Sequence, residues 1–119
     1  MTEYHIAFDQ NWVGDHSEEW FASRGPLAKA VVREMAAAGV LRIAGGLEED
    51  LGLAFHVDPT GDRTTIGDGP YRVRADYIGG FTVIDVPDVA TARMWATKVA
   101  EACGWPQEVR PFGSMRDLD

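Results

Sequence analysis

Hydrophobic and polar positions alternate from the start of the chain: Tyr4, Ile6 and Phe8 are interleaved with His5, Ala7 and Asp9. A period of two marks a strand with one buried face and predicts a first strand over 3–9. From Ser17 the pattern changes. Ser17 suits a helix cap and Glu18 and Glu19 suit a positive first turn, while Gly25-Pro26 interrupts the run before it restarts. Over 26–38, Leu27, Val31 and Met35 recur every four residues beside Ala28, Val32 and Ala36, which predicts a helix whose apolar stripe stops at Gly39.

Val40 to Ala44 then reads as a second strand, running into Gly45-Gly46, where absent side chains permit a bulge or a close backbone approach. Leu53, Phe55 and Val57 alternate with Ala54 and His56. Asp58 to Asp62 supplies turn chemistry, and 63–66 returns antiparallel, so a hairpin is expected. Tyr71, Val73 and Ala75 alternate with Arg72, Arg74 and Asp76, a pattern open to two readings, a further strand or an ordered loop over a cleft.

The last third reads more directly. Residues 81–86 are rich in strand formers, Pro87-Asp88 closes the strand, and Asp88 offers a cap for a helix over 89–103. Val89, Ala92, Ala96, Val99 and Cys103 form its expected apolar stripe, which Gly104 and Pro106 end. A final strand is expected over 107–112. The order predicts an α+β fold, a ferredoxin-like sandwich with two main helices on one face of an antiparallel sheet and an added hairpin. The uncovered face of such a sheet calls for a second copy, so a homodimer with paired edge pockets is expected, which is a dimeric α+β barrel.

The 119 residues suit one domain, 1–112, followed by a polar tail at 113–119. With 45% hydrophobic and 25% charged residues, the composition is that of a water-soluble globular chain, and no apolar run approaches the ~20 residues of a membrane span. The N-terminal residues do not read as a secretory leader and the single Cys103 has no intramolecular partner, so the expected location is cytoplasmic. Nineteen acidic against 11 basic residues give a net charge of -8, which argues against nucleic acid and anionic membrane surfaces as partners. Arg63, Arg72, Arg74 and Arg110 are either solvated surface residues or a local positive pocket for a small anion.

Three segments carry a family resemblance: Leu41 to Leu47, with its glycine-containing turn; Asp68-Gly69-Pro70-Tyr71; and the strand–helix–strand order from Gly79 to Phe112. Together they resemble the YCII-related family, specifically its DGPF branch, with Tyr71 where that signature usually has phenylalanine. The match runs from about residue 40 to 112. After the signature the family continues with a glutamate, threonine, lysine, glutamate run, and here Arg72 to Asp76 keep only the acidic character of Asp76. The resemblance implies a small-molecule enzyme, and some members of the wider family use a histidine on the first helix with a nearby aspartate. The helix expected at 26–38 contains no histidine.

The candidate chemistry is therefore spread along the chain. His16, just before the first helix, is either a base near Asp9 or a solvent-exposed histidine. Asp68 is either an acceptor or base in a cleft or a turn residue bonding its own backbone. His56 points away from Phe55 and Val57, into a pocket or into water, and Tyr71 is a ligand contact or a core aromatic. In the enzymatic reading Asp68 and His16 or His56 exchange protons, Tyr71 touches substrate, and Arg74 or Arg110 balances its negative charge. No metal site is expected, since His5, His16 and His56 lack ligand spacing, and no organic cofactor, since neither glycine pair sits in a phosphate-loop context. Cys103, near a helix C-terminus, is expected to be a buried apolar residue, and Trp12, Trp20, Trp95 and Trp105 packing residues. Three functions follow: cofactor-free elimination or isomerisation, a non-catalytic small-ligand-binding or accessory module, and a vicinal-oxygen-chelate-like metal enzyme that would need a metal cluster.

Overall fold

Strand β1 spans Thr2–Asp9 in a computed structural model that describes residues 1–113. The tail expected at 113–119 lies outside the described residues except for Gly113. Helix α1 (Glu18–Ala37) and strand β2 (Leu41–Gly46) follow, then a 3-10 turn at Leu51–Leu53 that leads into β3 (Phe55–Asp58) and β4 (Thr65–Asp68). Strand β5 (Ile78–Val86), helix α2 (Val89–Cys103) and strand β6 (Glu108–Pro111) complete the order. The fold is α+β. An antiparallel sheet has the order β2-β5-β1-β6, and β3 and β4 form a separate two-stranded sheet.

The register fixes the two faces of the larger sheet. Tyr4 lies opposite Ile84 and Ile6 opposite Thr82, so the even-numbered residues of both strands share one face. Tyr4, Ile6, Ile84 and Val86 there meet Val31 and Met35 from α1 and Ala92, Trp95 and Val99 from α2, forming the core. The opposite face carries His5, Phe81 and Ile43, and neither helix of the described residues packs its buried stripe there. A register shift between Leu41 and Ile43 lets Leu41 pack on the core while Arg42 turns to the open face. There its guanidinium bonds Asp85 at 2.6 Å and approaches Glu3 at 3.8 Å. The bulge expected at Gly45-Gly46 thus occurs three residues earlier.

Helix α1 is longer than the sequence pattern predicts, running through Gly25 and Pro26 without a break. Ser17 accepts a bond from the Trp20 amide at 3.1 Å, and the first half is anchored by packing of Trp20 against Gly104. Pro26 leaves the Ala22 carbonyl without its helical N–H donor, and the helix continues through it. Of the expected stripe, Val31 and Met35 are buried but Leu27 is exposed.

Helix α2 matches its expected limits. Asp88 caps it through the Thr91 amide at 2.7 Å, and Gly104 ends it in the left-handed region at φ 69°. Its buried stripe is Ala92, Trp95 and Val99, with Val89 left exposed. β5 begins at Ile78 rather than Phe81, because Gly79 and Gly80 pair in the sheet beneath the Phe8 ring. A Cβ on Gly80 would lie 2.7 Å from that ring. Residues 71–76 form no strand; the segment is a loop, held by the Asn11 amide to the Ala75 carbonyl and by Gln10 N–H to Tyr77 O at 3.0 Å.

The β3–β4 hairpin is shifted two residues later than expected on its return strand, so Asp68 ends β4 rather than opening a turn. Its apolar face is not buried: Phe55 is 68% and Ile66 74% exposed. The radius of gyration, 16.5 Å, exceeds the ~13.5 Å usual for a compact domain of this length, and the smallest extent is 19 Å against 48 and 45 Å. No helix is long and apolar enough to cross a membrane among the described residues.

Candidate functional site

A cleft of about 600 Å³ opens between α1 and the β2 side of the sheet. It exists because small residues meet there. Ala28 on one wall and Ala44, Gly45 and Gly46 on the other carry one side-chain carbon or none, so the helix and strand leave space between them. Phe8 and Thr82 contribute from the sheet, Val32 from α1, and Val99 and Cys103 from α2, while Trp105 closes one end. The lining is overwhelmingly apolar, the usual character of small-molecule sites.

Three cations from α1 border this space: Arg24, half-buried, and Lys29 and Arg33, exposed. Among the described residues none of the three forms an ion pair. Arg24 is held in position by its neighbours. Its guanidinium carbon lies 4.8 Å from the centre of the Trp20 ring, and the absence of a side chain at Gly104 admits both residues. A Cβ on Gly104 would lie 2.6 Å from Trp20 and 3.4 Å from Arg24 Cδ. The Arg24 Nε–H is buried, with no hydrogen-bond acceptor among the described residues. Burial pushes the Cys103 thiol above its ordinary value, and the Arg24 charge pulls it in the other direction. With burial the larger influence, Cys103 is a neutral wall residue.

An aromatic chain continues from the cleft to the start of α1. Phe8 lies 5.0 Å from Trp105, Trp105 5.9 Å from Phe21, and Phe21 5.2 Å from Trp20. His16 stacks on Trp20 at 3.6 Å, with Nε2 3.1 Å from the Val13 carbonyl oxygen. Asp9 is not its partner; its carboxylate accepts from Asn11 N–H at 3.1 Å and its carbonyl from the Trp105 indole at 2.8 Å.

The hairpin gathers a second group. The His56 ring packs edge-on to Tyr71 at 5.6 Å, with Nδ1 3.0 Å from the Gly69 carbonyl oxygen. Asp58 belongs to the same cluster. The Thr60 hydroxyl and amide, bonded to it at 2.5 and 2.9 Å, hold its carboxyl below the usual value, with smaller contributions from His56 and the Tyr71 hydroxyl. Asp68 lies apart: it pairs with Phe55, whereas His56 pairs with Gly67, so the two candidate proton carriers project from opposite faces of the hairpin. Arg74 is exposed in the 71–76 loop, and Arg110 faces outward from β6 opposite His5.

Thus the structure unites His56 with Tyr71, while Asp68 lies on the other face of the hairpin, His16 stacks on Trp20 and Arg110 sits on β6. None of the six candidate residues, Arg74 included, lines the cleft. Among the described residues no cluster of three or more His, Cys, Asp or Glu is arranged to hold a metal ion. Comparison with models of known protein families and with curated proteins found no match. The residues that sequence reasoning missed are Arg24, Lys29, Arg33 and Asp58. One signal was available: in an acidic chain, all basic residues of α1 are these three, and all border one space.

Proposed function

We propose that the protein is a small-ligand-binding module whose site is the cleft between α1 and the sheet. The observation that carries this reading is the cleft itself, about 600 Å³ and apolar, with an oriented Arg24 but no histidine or carboxylate on its walls. That volume falls within the ~300–1,000 Å³ of small-molecule sites. Binding therefore has a physical basis here, whereas the walls that the described residues form carry no histidine or carboxylate, the commonest general acids and bases.

The wider architecture supports the same reading. Read from the β6 edge, the sheet order β6-β1-β5-β2, with one helix after β1 and another after β5, favours a ferredoxin-like sandwich. The likeness of Asp68 to Tyr71 and the flanking segments to the YCII-related family is consistent with a small-molecule ligand. Two copies joined through their uncovered sheet faces would make a dimeric α+β barrel. The 55% exposure of Ile43, the His5–Phe81 stack at 5.5 Å and the projecting apolar hairpin all favour such pairing.

Nile red, an uncharged apolar dye, tests the cleft. Saturable binding with a blue-shifted emission is expected for the native chain, and binding at least tenfold weaker for Ala28→Trp, whose indole would fill the space. Equal binding by both proteins, with matching circular dichroism, overturns the assignment.

The convergence of His56, Asp58 and Tyr71 favours a second reading, in which proton transfer occurs at the hairpin. Amide chemical shifts separate the two once a ligand is found. Shifts at Thr82 and Cys103 support the cleft, and shifts confined to Gly69 and Tyr71 support the hairpin.

A further inference from the structure

We infer that the cleft selects organic monocarboxylates, molecules with an apolar body that rests against Phe8, Ala28 and Val32 and a carboxylate that pairs with the Arg24 guanidinium. The inference rests on the cleft being a ligand site and adds the class of ligand. Its first support is unmet hydrogen-bonding capacity: Arg24 borders the cleft, and among the described residues its guanidinium has a ring contact with Trp20 but no ion-pair partner. A ligand oxygen in the cleft would satisfy it, and a charged acceptor does so more strongly than a neutral one.

The second support is electrostatic. The protein carries a net charge of -8, yet Arg24, Lys29 and Arg33 border this one space without an ion-pair partner among the described residues. Among the described residues no carboxylate lines the cleft to compete for them, and the nearby Cys103 thiol is uncharged. The third is preorganisation. Stacking on Trp20 and the room left by Gly104 fix the guanidinium before a ligand arrives, so little side-chain freedom is lost on binding. One half-buried planar cation suits the two oxygens of a carboxylate. A phosphoryl dianion would draw more on Lys29 and Arg33, whose side chains are exposed to water.

Calorimetric titration with 4-phenylbutyrate, 4-phenylbutan-1-ol and 4-phenylbutylphosphonate tests the proposal on the intact chain. The carboxylate is expected to bind about tenfold or more tightly than the alcohol, the scale of a charge-assisted hydrogen bond. In Arg24→Gln that preference is expected to fall to near unity. Should this variant fail to fold, Arg24→Lys is the alternative, expected to keep the charge but lose most of the preference. Full preference in Arg24→Lys would overturn the assigned guanidinium contact. Equal binding of carboxylate and alcohol to the native chain would overturn the ligand class while leaving the cleft intact, and tighter binding of the phosphonate would also overturn it. Failure of all three ligands together with Nile red would remove the cleft reading itself.

Discussion

Met35 has no exposed surface and lies where α1 meets the sheet, among Ile6, Ile84 and Val99. Truncation there removes buried carbon and leaves a cavity that the surrounding strands cannot close. Met35→Ala is expected to cost about 2–5 kcal/mol, read as a lower denaturation midpoint in urea. Asp88 acts differently, through charge. The Thr91 hydroxyl and amide hold its carboxyl below the ordinary value of 3.8, so the folded state favours the ionised form. Its contribution is therefore fully present above the unfolded pKa and is lost as pH falls from about 4 through the lowered folded value. Asp88→Asn retains a capping oxygen without the ionisation. Stability curves of the two proteins should differ at neutral pH and converge in acid, and a constant difference at all pH values would refute the linkage.

At the scale of elements, α1 and α2 teach opposite lessons. The α2 sequence carries its cap, stripe and left-handed terminator in one uninterrupted window, and local physics is enough to delimit it. In α1, Gly25-Pro26 is a local stop signal that tertiary packing overrides. Pro26→Ala is expected to raise stability by about 1–3 kcal/mol, measurable by thermal or urea unfolding, because it restores a helical hydrogen bond and removes the ring's steric conflict. Gly104 joins the elements to the site. Its positive φ disfavours any side chain, and a Cβ would strike Trp20. Gly104→Ala is expected to cost at least about 1 kcal/mol and to weaken carboxylate binding by displacing Arg24, observable in paired unfolding and titration experiments.

On the scale of the whole molecule, the hairpin departs furthest from expectation. Leu53, Phe55 and Val57 follow the alternation of a half-buried strand, yet the described residues do not cover them. Alternation reveals which residues share a face but cannot name what lies against it. The proposed homodimer addresses the uncovered surface of the main sheet. Analytical ultracentrifugation is expected to give a dimer for the native chain and a monomer for Ile43→Lys, which puts a charge on that face. A native monomer at micromolar concentration would end the pairing proposal.

The sequence by itself determined what depends on near neighbours: the alternation of β1, the capped span of α2, and the glycines and turn residues that bound the other strands. These signals act over a few residues, so they survive without knowledge of the fold. Tertiary structure alone decided the rest. It carried α1 through Pro26, sent Asp68 and His56 to opposite faces, and left a space beside Arg24 where alanine meets glycine. The cleft depends on distances between segments far apart in the chain, set by packing and sheet register, and no local pattern of residue types records them.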